Sequence, residues 1–354
     1  MDATGCRIGI LGLDHWYSAL PYLSALTRDS RVKVAGIAHH DIVRTQSVAS
    51  ESGVDRVVAN PAALLEDKSI DAVAIFTSTD RVPGLCIAAA QAGKHILAIK
   101  PLARTLAEAT AVVDAVRAAG VHLLPSEAVG AGGRRGAVEI VRSLVSEGRL
   151  GEVAFARCSH SAGLPWGWPD DNRPGWFIDP SRCAGGGWID HAMYQIDRLR
   201  WILGRKVESV RGKLATARYT DLQVEDWGTA LVWFEGGAIA EFRADWFMPS
   251  GSMYQDQFEI AGTKGVVRID LVTHRLHIAE TPPQWGALDQ WREIAVPRNY
   301  DAATVAGHLA DVVLGQAKPL ATAEDAWSNL AVALAFYDAA RSGRAVSVKE
   351  LPGR

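Results

Sequence analysis

The sequence predicts an α/β chain in two parts: a doubly wound parallel sheet, then an α+β domain on an open, mostly antiparallel sheet. Three observations carry this. Up to Leu124, short apolar runs alternate with helical stretches, the order that requires right-handed crossovers between parallel strands. After Gly151 the runs lengthen and alternate polar with apolar residues, as half-buried strands do. The length, 354 residues, exceeds one ordinary domain and suits two. The expected division is 1–125 and 126–354.

In the first part, Arg7–Leu13 (RIGILGL) reads as a buried strand and Trp16–Thr27 as a helix. Val32–Ala38 is a strand, Val43–Ser52 a helix and Arg56–Ala59 a short strand. Pro61 opens a helix, a favoured first-turn position. Ile70–Phe76 (IDAVAIF) is a buried strand, and Pro83–Ala92 a helix stopped by Gly93. His95–Ile99, the helix Leu106–Ala119 stopped by Gly120, and Val121–Leu124 complete the alternation. In the second part the expected strands are Glu152–His160, Val207–Arg218, Gly228–Phe234, Ala238–Trp246, Gln257–Ala261, Gly265–Asp270 and Arg275–Glu280. Gly236-Gly237 is a hairpin signal. Helices are expected at Ala137–Glu147, Asp190–Leu203 and Ala323–Arg341. Ala162–Gly187, rich in Gly, Pro and Trp, reads as a long loop.

Composition excludes several classes. A net charge of −3 leaves no basic excess for nucleic acid or an anionic membrane. No charge-free apolar run approaches the roughly 18 residues of a membrane span. The N-terminal Met1–Leu13 lacks a basic segment and a cleavage site, so it reads as a strand rather than a secretion signal. Cys6, Cys86, Cys158 and Cys183 show no C-x-x-C spacing, which fits reduced, buried thiols and a cytoplasmic protein. His274-x-x-His277 is not a metal pair, because strand side chains three apart face opposite ways; no metal is expected. Trp is abundant, 12 against 8 Phe and 7 Tyr, which suits either a large core or an apolar platform for a ligand.

The first strand–turn–helix is where a G-x-G-x-x-G fingerprint lets backbone approach a pyrophosphate at a helix N-terminus. Its register falls on Gly12, Asp14 and Tyr17, so only the first glycine is kept. Gly12, Asp14, His15 and Trp16 are the expected cofactor contacts of this turn. A carboxylate at 14 repels a pyrophosphate unless it points away; the alternative is an ordinary turn in which Asp14 caps the helix. Tyr17 would loosen the contact that a small residue allows between helix and strand. The second strand ends in His39-His40-Asp41, with Arg44 beyond, where an acid ordinarily holds the ribose hydroxyls. His39, His40 and Arg44 in its place favour a 2′-phosphate; Asp41 one turn later can still fill the acid's role, and a solvated loop is the alternative. The cofactor expected is therefore NAD or NADP.

The stretch Ala92–Glu108 (AGKHILAIKPLARTLAE) is similar to the A-G-K-H-x-x-x-E-K-P-x-x-x-x-x-x-E segment of the Gfo/Idh/MocA oxidoreductase family. IDAVAIFT (Ile70–Thr77), GRLGEV (Gly148–Val153), GGGWIDHAMYQIDRLRWILG (Gly185–Gly204), Glu225-Asp226 and Gly262-Thr263-Lys264-Gly265 resemble further family segments, in the family's order. The resemblance spans nearly the whole chain. It implies an N-terminal Rossmann domain, a C-terminal α/β domain with an open, mostly antiparallel sheet, NAD(P)-linked oxidation or reduction of sugars or cyclitols, and homodimers or homotetramers formed through the sheet.

The resemblance also assigns residues. The family's lysine falls on Lys100, followed by Pro101, while its preceding glutamate is Ile99. The family's D-x-x-x-H pair falls on Asp190 and Tyr194, a spacing that shares one helix face. Tyr194 thus takes the place of the proton-accepting histidine. A phenol titrates near pH 10 unless a cation is close, and Lys100 is the cation implied. His191 is a second candidate base. Thr77 and Ser78, in the turn after Phe76, are expected near the cofactor. In the loop before the catalytic helix, Trp166, Trp168, Trp176 and Arg173, with His160 at its entrance, are expected substrate contacts; the alternative is a loop folded onto its own tryptophans. Trp188 joins them in a group of four placed as a carbohydrate platform, the other eight tryptophans being core.

The function expected is an NAD(P)-dependent oxidoreductase moving hydride between nicotinamide and a hydroxyl or ketone carbon of a sugar, glycoside or cyclitol. Two alternatives stand beside it: a catalytically degenerate ligand sensor, suggested by the departures at Asp14, Tyr17, His39, Ile99 and Tyr194, and a lyase or epimerase using a tightly held cofactor transiently.

Overall fold

The computed structural model describes residues 5–130, 133–249, 254–280, 291–296 and 302–352. The chain divides into two units. One comprises Met1–Ala131, Trp166–Ala184 and Asn299–Trp327; the other Gly132–Pro165, Gly185–Arg298 and Ser328–Arg354.

The first unit runs β1 (Cys6–Leu11), α1 (Trp16–Arg28), β2 (Val32–Ala38), α2 (Ile42–Ser52), β3 (Val57–Val58), α3 (Ala62–Leu65), β4 (Ala72–Ile75), α4 (Val82–Gln91), β5 (His95–Ala98), α5 (Leu106–Ala119), β6 (Leu123–Pro125) and α6 (Ser126–Val129). The strands form a parallel sheet in the order β3-β2-β1-β4-β5-β6. This is the Rossmann order, whose reversal between β1 and β4 leaves a ligand crevice beyond the strands' carboxyl ends. Every residue of β4 is buried; helices cover both faces of such a sheet, so its strands are continuous apolar runs. α5 opens with a capping box between Thr105 and Glu108.

The chain continues with α7 (Ala137–Ser146), β7 (Val153–Ala162), β8 (Trp166–Trp168), β9 (Asp171–Pro174), α8 (Gly187–Leu203), β10 (Val207–Ala215), β11 (Trp227–Phe234), β12 (Ile239–Asp245), β13 (Tyr254–Gly262), β14 (Gly265–Asp270), β15 (Arg275–Glu280), β16 (Arg292–Ile294), α9 (Ala302–Val313), α10 (Ala323–Ser342) and β17 (Val346–Ser347). In the second unit nine strands make a sheet of order β16-β15-β14-β13-β7-β12-β11-β10-β17. Only the β7–β12 pairing is parallel. α8 packs on β7, β11 and β12. Beneath it Ala156, Cys158, His160, Ala240, Phe242 and Ala244 are buried, while the alternate residues Phe155, Arg157 and Leu231 face outward, as the two-residue period of a strand requires.

Gly236 and Gly237 both take positive φ, +79° and +86°, the hairpin turn expected between β11 and β12. Three expectations need correction. The segment read as a structureless loop holds the β8–β9 hairpin and a short 3-10 turn at Trp176–Ile178, strands too short to leave a pattern. α9 is a further helix beyond those expected from the sequence. α8 begins at Gly187, three residues before the expected start, which puts Trp188 inside a buried helix.

The second unit is tied internally by charge. Arg134 donates from Nε and a terminal nitrogen to Asp197 at 3.0 and 2.7 Å, and Asn329 Nδ2 donates to the same carboxylate at 2.9 Å. Arg134 and Asp197 are 5% and 0% exposed. Removing one partner of such a pair leaves an uncompensated buried charge. Asp197→Ala is expected to lower unfolding free energy by about 3–5 kcal/mol in a denaturant titration; a loss under about 1 kcal/mol would contradict a buried, interdependent pair.

Candidate active site

In the first unit, β1 ends at Leu11 and the chain turns at Gly12, with φ +88°. A Cβ at Gly12 would lie 3.0 Å from both the Phe76 carbonyl oxygen and the Thr77 Cβ, so only glycine permits both the angle and the approach. The turn is tied to its neighbours: Gly12 N–H donates to Ala38 O at 2.7 Å, and His15 N–H to Phe76 O at 3.1 Å. Gly12 therefore stands at the reversal between β1 and β4, where backbone can come close to a dinucleotide.

Asp14 is not a helix cap; His15 holds the N-cap position of α1 and makes no side-chain cap bond. Asp14 instead accepts from the Thr77 hydroxyl at 2.7 Å, with Arg81 and Arg182 at 3.7 and 3.9 Å. Arg182 also donates to the Ser78 hydroxyl at 3.0 Å. The charge feared at this turn is thus compensated by two guanidinium groups, and the residues present fit a dinucleotide. Both arginines escaped the sequence reading. Arg81 directly follows the Thr-Ser-Thr-Asp turn, whereas Arg182 comes from far along the chain.

Tyr17 does not wedge apart α1 and β1. Its hydroxyl lies 3.0 Å from His15 Nε2 and its ring packs beside Phe177 at 5.7 Å. Trp16 Nε1 donates to Trp166 O at 2.9 Å, and Arg44 lies over the Trp168 ring at 5.1 Å and 3.5 Å from Asp41. Asp41 caps α2, accepting from Arg44 N–H at 3.1 Å, so its carboxylate serves the helix start. Burial holds the His39 imidazole down at about 4, and its Nδ1 accepts the Leu13 N–H at 3.3 Å. His39 is therefore neutral at pH 7 and brings no positive charge to a 2′-phosphate; exposed His40 and half-buried Arg44 are the groups left for that.

Lys100, 3% exposed, follows the end of β5, and its N–H donates to the Ser126 hydroxyl at 2.9 Å. The Lys100–Pro101 bond is cis. Ile99, where the family glutamate is missing, is a core side chain at 2% exposure.

The tryptophans separate. Trp166 is 39% exposed and Trp168 partly so, whereas Trp176 is buried, stacks on Phe177 at 3.9 Å and donates from Nε1 to Asp14 O at 3.1 Å. Trp188 is fully buried and stacks on Phe336 at 3.8 Å. Trp176 and Trp188 are therefore structural, correcting their placement on a carbohydrate platform. Arg173 projects outward, its nearest charge being Asp171 at 3.8 Å.

In the second unit the start of α8 is built by Glu225. Its carboxylate accepts from Gly186 N–H at 2.9 Å, Trp188 N–H at 3.2 Å and the Tyr337 hydroxyl at 2.7 Å; burial pushes its carboxyl up while these donors pull it down. A Cβ at Gly186 would come within 2.0 Å of Glu225 O. From this anchored end α8 presents Asp190, His191 and Tyr194. Asp190 accepts the Trp246 indole N–H at 3.0 Å and lies 3.5 Å from His191 Nε2. Asp190 and His191 are buried, Tyr194 partly. His160, 8% exposed, stacks on His191 and lies 3.4 Å from Asp256. Trp246, Asp256, Arg198 and the anchoring role of Glu225 were not singled out from sequence, because strand register makes them neighbours.

Two family profiles match the chain: an oxidoreductase family with NAD-binding Rossmann fold over residues 6–126, and a GFO/IDH/MocA C-terminal domain over residues 138–268. The chain belongs to the Gfo/Idh/MocA oxidoreductase family. It is 31% identical over 314 residues to a 1,5-anhydro-D-fructose reductase of Ensifer adhaerens, covering 86% of this chain and 88% of the relative. It is 28% identical to a scyllo-inositol 2-dehydrogenase (NAD(+)) of Bacillus subtilis (strain 168), covering 86% and 85%. An oxidoreductase domain protein from Kribbella flavida shares the fold, with TM-score 0.85 at 22% identity, over 98% of this chain and 100% of that one. This Gfo/Idh/MocA member is an NAD(P)-dependent oxidoreductase.

One consequence for this oxidoreductase follows from His39. Its folded value lies below the unfolded imidazole's, so protonation favours the unfolded chain as pH falls through 6.5, and the loss stops growing near 4. His39→Gln is expected to reduce the stability lost between pH 7 and 4 by about 3 kcal/mol, measured by urea unfolding across that range. An unchanged pH dependence would mean His39 is charged in the fold.

Proposed function

We propose that this chain moves hydride between a nicotinamide and a hydroxyl or ketone carbon of a sugar, glycoside or cyclitol, using NAD or NADP. The observation that carries the reading is Asp190: a buried carboxylate held by the Trp246 indole, beside His191 and on the helix that carries Tyr194. A buried carboxylate next to ionisable rings is the equipment of proton transfer.

The bound nicotinamide supplies the hydride acceptor or donor. The chain does the rest. Lys100 donates to the substrate oxygen and stabilises the developing alkoxide. Tyr194 or His191 takes the hydroxyl proton during oxidation and returns it during reduction, and Asp190 orients the group that does so. Gly12, Asp14, His15, Trp16, His40, Arg44, Thr77, Ser78 and Pro101 form or border the cofactor site, and His39 shapes it as a neutral side chain. Trp166, Trp168 and Arg173, with exposed surface on the β8–β9 hairpin, contact the substrate. The sugar and cyclitol activities named for the relatives support this substrate class.

We place the functional division at 1–125 for the cofactor and 126–354 for substrate and assembly. The open face of the nine-stranded sheet exposes Phe155 and Leu231 at 38% and 42%, which supports a homodimer or homotetramer formed through that face. The burial of all four cysteines supports a reducing, cytoplasmic setting.

Lys100→Ala and Tyr194→Phe are each expected to lower kcat by at least about 100-fold, with NAD(H) or NADP(H) binding, followed by Trp fluorescence, and circular dichroism unchanged. Wild-type turnover in either variant would sink the roles. Failure of the wild type to reduce either cofactor with a panel of sugars and cyclitols, or to oxidise it with the matching ketones, would sink the function.

A further inference from the structure

Asp14 lies between two guanidinium groups that it does not saturate. Arg81 Nη1 stands 3.7 Å from one carboxylate oxygen, Oδ2, and Arg182 Nη2 stands 3.9 Å from the other, Oδ1. Neither distance is that of a hydrogen bond. Oδ2 already accepts the Thr77 hydroxyl at 2.7 Å, so a neutral donor holds the carboxylate and the two cations flank it. Among the described residues, the Arg81 guanidinium meets no acceptor within hydrogen-bond distance. Arg182 donates one N–H to the Ser78 hydroxyl at 3.0 Å, and its Nε lies 3.9 Å from Asp80. Both arginine side chains are 37% exposed, against 9% for Asp14.

Backbone contacts fix this placement. Asp80 N–H donates to Arg182 O at 3.0 Å, and the Trp176 indole donates to Asp14 O at 3.1 Å. The segment after the β8–β9 hairpin is thus tied both to the turn after β1 and to the turn after β4. All of these residues belong to the first unit. The turn at Asp14 also opens α1, whose N-cap, His15, makes no side-chain cap bond. A helix start without a side-chain cap keeps amides and a partial positive charge for an anion.

An ordinary fingerprint holds the pyrophosphate on backbone that its glycines leave bare. Here Asp14 and Tyr17 stand at two of the glycine positions, so bare backbone is lost there. We propose that Arg81 and Arg182 bind the pyrophosphate of the nicotinamide cofactor, side-chain donors on either side of Asp14 replacing the lost glycines. A guanidinium can fork onto two phosphate oxygens and keeps its charge at any working pH. Asp14 and Asp80 balance the two cations, while the N–H groups they leave unbonded serve the phosphates. Asp14, between the two, sets their spacing, which gives the carboxylate a use at this turn. The diphosphate is common to NAD and NADP. The two arginines therefore serve either cofactor and are separate from the 2′-phosphate contacts open to His40 and Arg44. The inference rests on the NAD(P) reading given above.

The test measures binding by Trp fluorescence, with NADH, NADPH, ADP and adenosine as probes. Arg81→Gln and Arg182→Gln are each expected to raise the Kd of NADH, NADPH and ADP at least about tenfold. The factors for NADH and NADPH should agree within about twofold, because the diphosphate is shared. Adenosine, which has no phosphate, should change less than about twofold. Arg182→Lys, which keeps the charge but not the fork, should fall between wild type and Arg182→Gln. Unchanged affinities in either glutamine variant would overturn the proposal. So would a loss confined to NADPH, the signature of a 2′-phosphate contact, or equal weakening of ADP and adenosine, the signature of a displaced turn. A wild-type chain that binds neither NADH nor NADPH would overturn it as well. None of these measurements needs turnover. A wild-type chain that binds the cofactor but acts on no sugar or cyclitol would refute the proposed function and leave the binding series to decide this inference.

Discussion

The arrangement of the second unit hangs on one buried carboxylate. Glu225 gathers two backbone N–H groups at the start of α8 and the hydroxyl of Tyr337. The first amides of a helix have no intrahelical acceptor, and burying them without one is costly. Glu225 meets that need from a neighbouring strand entrance rather than from a local cap; no side chain at the N-cap does so. The contact requires glycine at 186, since any side chain there would strike the Glu225 carbonyl. Asp226, the next residue, accepts N–H groups of Ala217, Arg218 and Tyr219, so the anchoring strand is itself fixed. Asp190, His191 and Tyr194 inherit their positions from this end of the helix.

The cofactor turn in the first unit meets a similar constraint with a different device. A carboxylate at Asp14 is unfavourable beside phosphate, and the fold answers it with the Thr77 hydroxyl and two flanking arginines. His39 shows the complementary case: buried, it is kept neutral and used as a hydrogen-bond acceptor. Each departure from the usual fingerprint thus has a physical accommodation, which is why such departures need not mean a lost activity.

The parallel sheet was legible because both of its faces are covered. Ile8, Ile10 and Ala72–Ile75 are completely buried, and such strands appear in the sequence as unbroken apolar runs. The hairpin at Gly236-Gly237 was legible because its turn demands positive φ twice. The β8–β9 hairpin was not, since strands of three and four residues carry no period. Lys100, Asp190 and Tyr194 entered the proposed site through the family resemblance, whose motifs lie within single segments. Arg182 beside Asp14 and Asp256 beside His160 did not, because they depend on loop course and strand register. Trp188 was misread for a related reason: a tryptophan next to a glycine-rich loop looks available, yet the helix starts before it and buries it against Phe336.

The central claim is that Glu225 sets the active end of α8. Hydrogen exchange of backbone amides in Glu225→Ala tests it most directly. Exchange at Gly186 and Trp188 is expected to accelerate at least about tenfold, with Leu199 and Ile202, at the far end of the same helix, unchanged. Equal protection at both ends in mutant and wild type would contradict the claim, because the helix start would then be held by something other than this carboxylate.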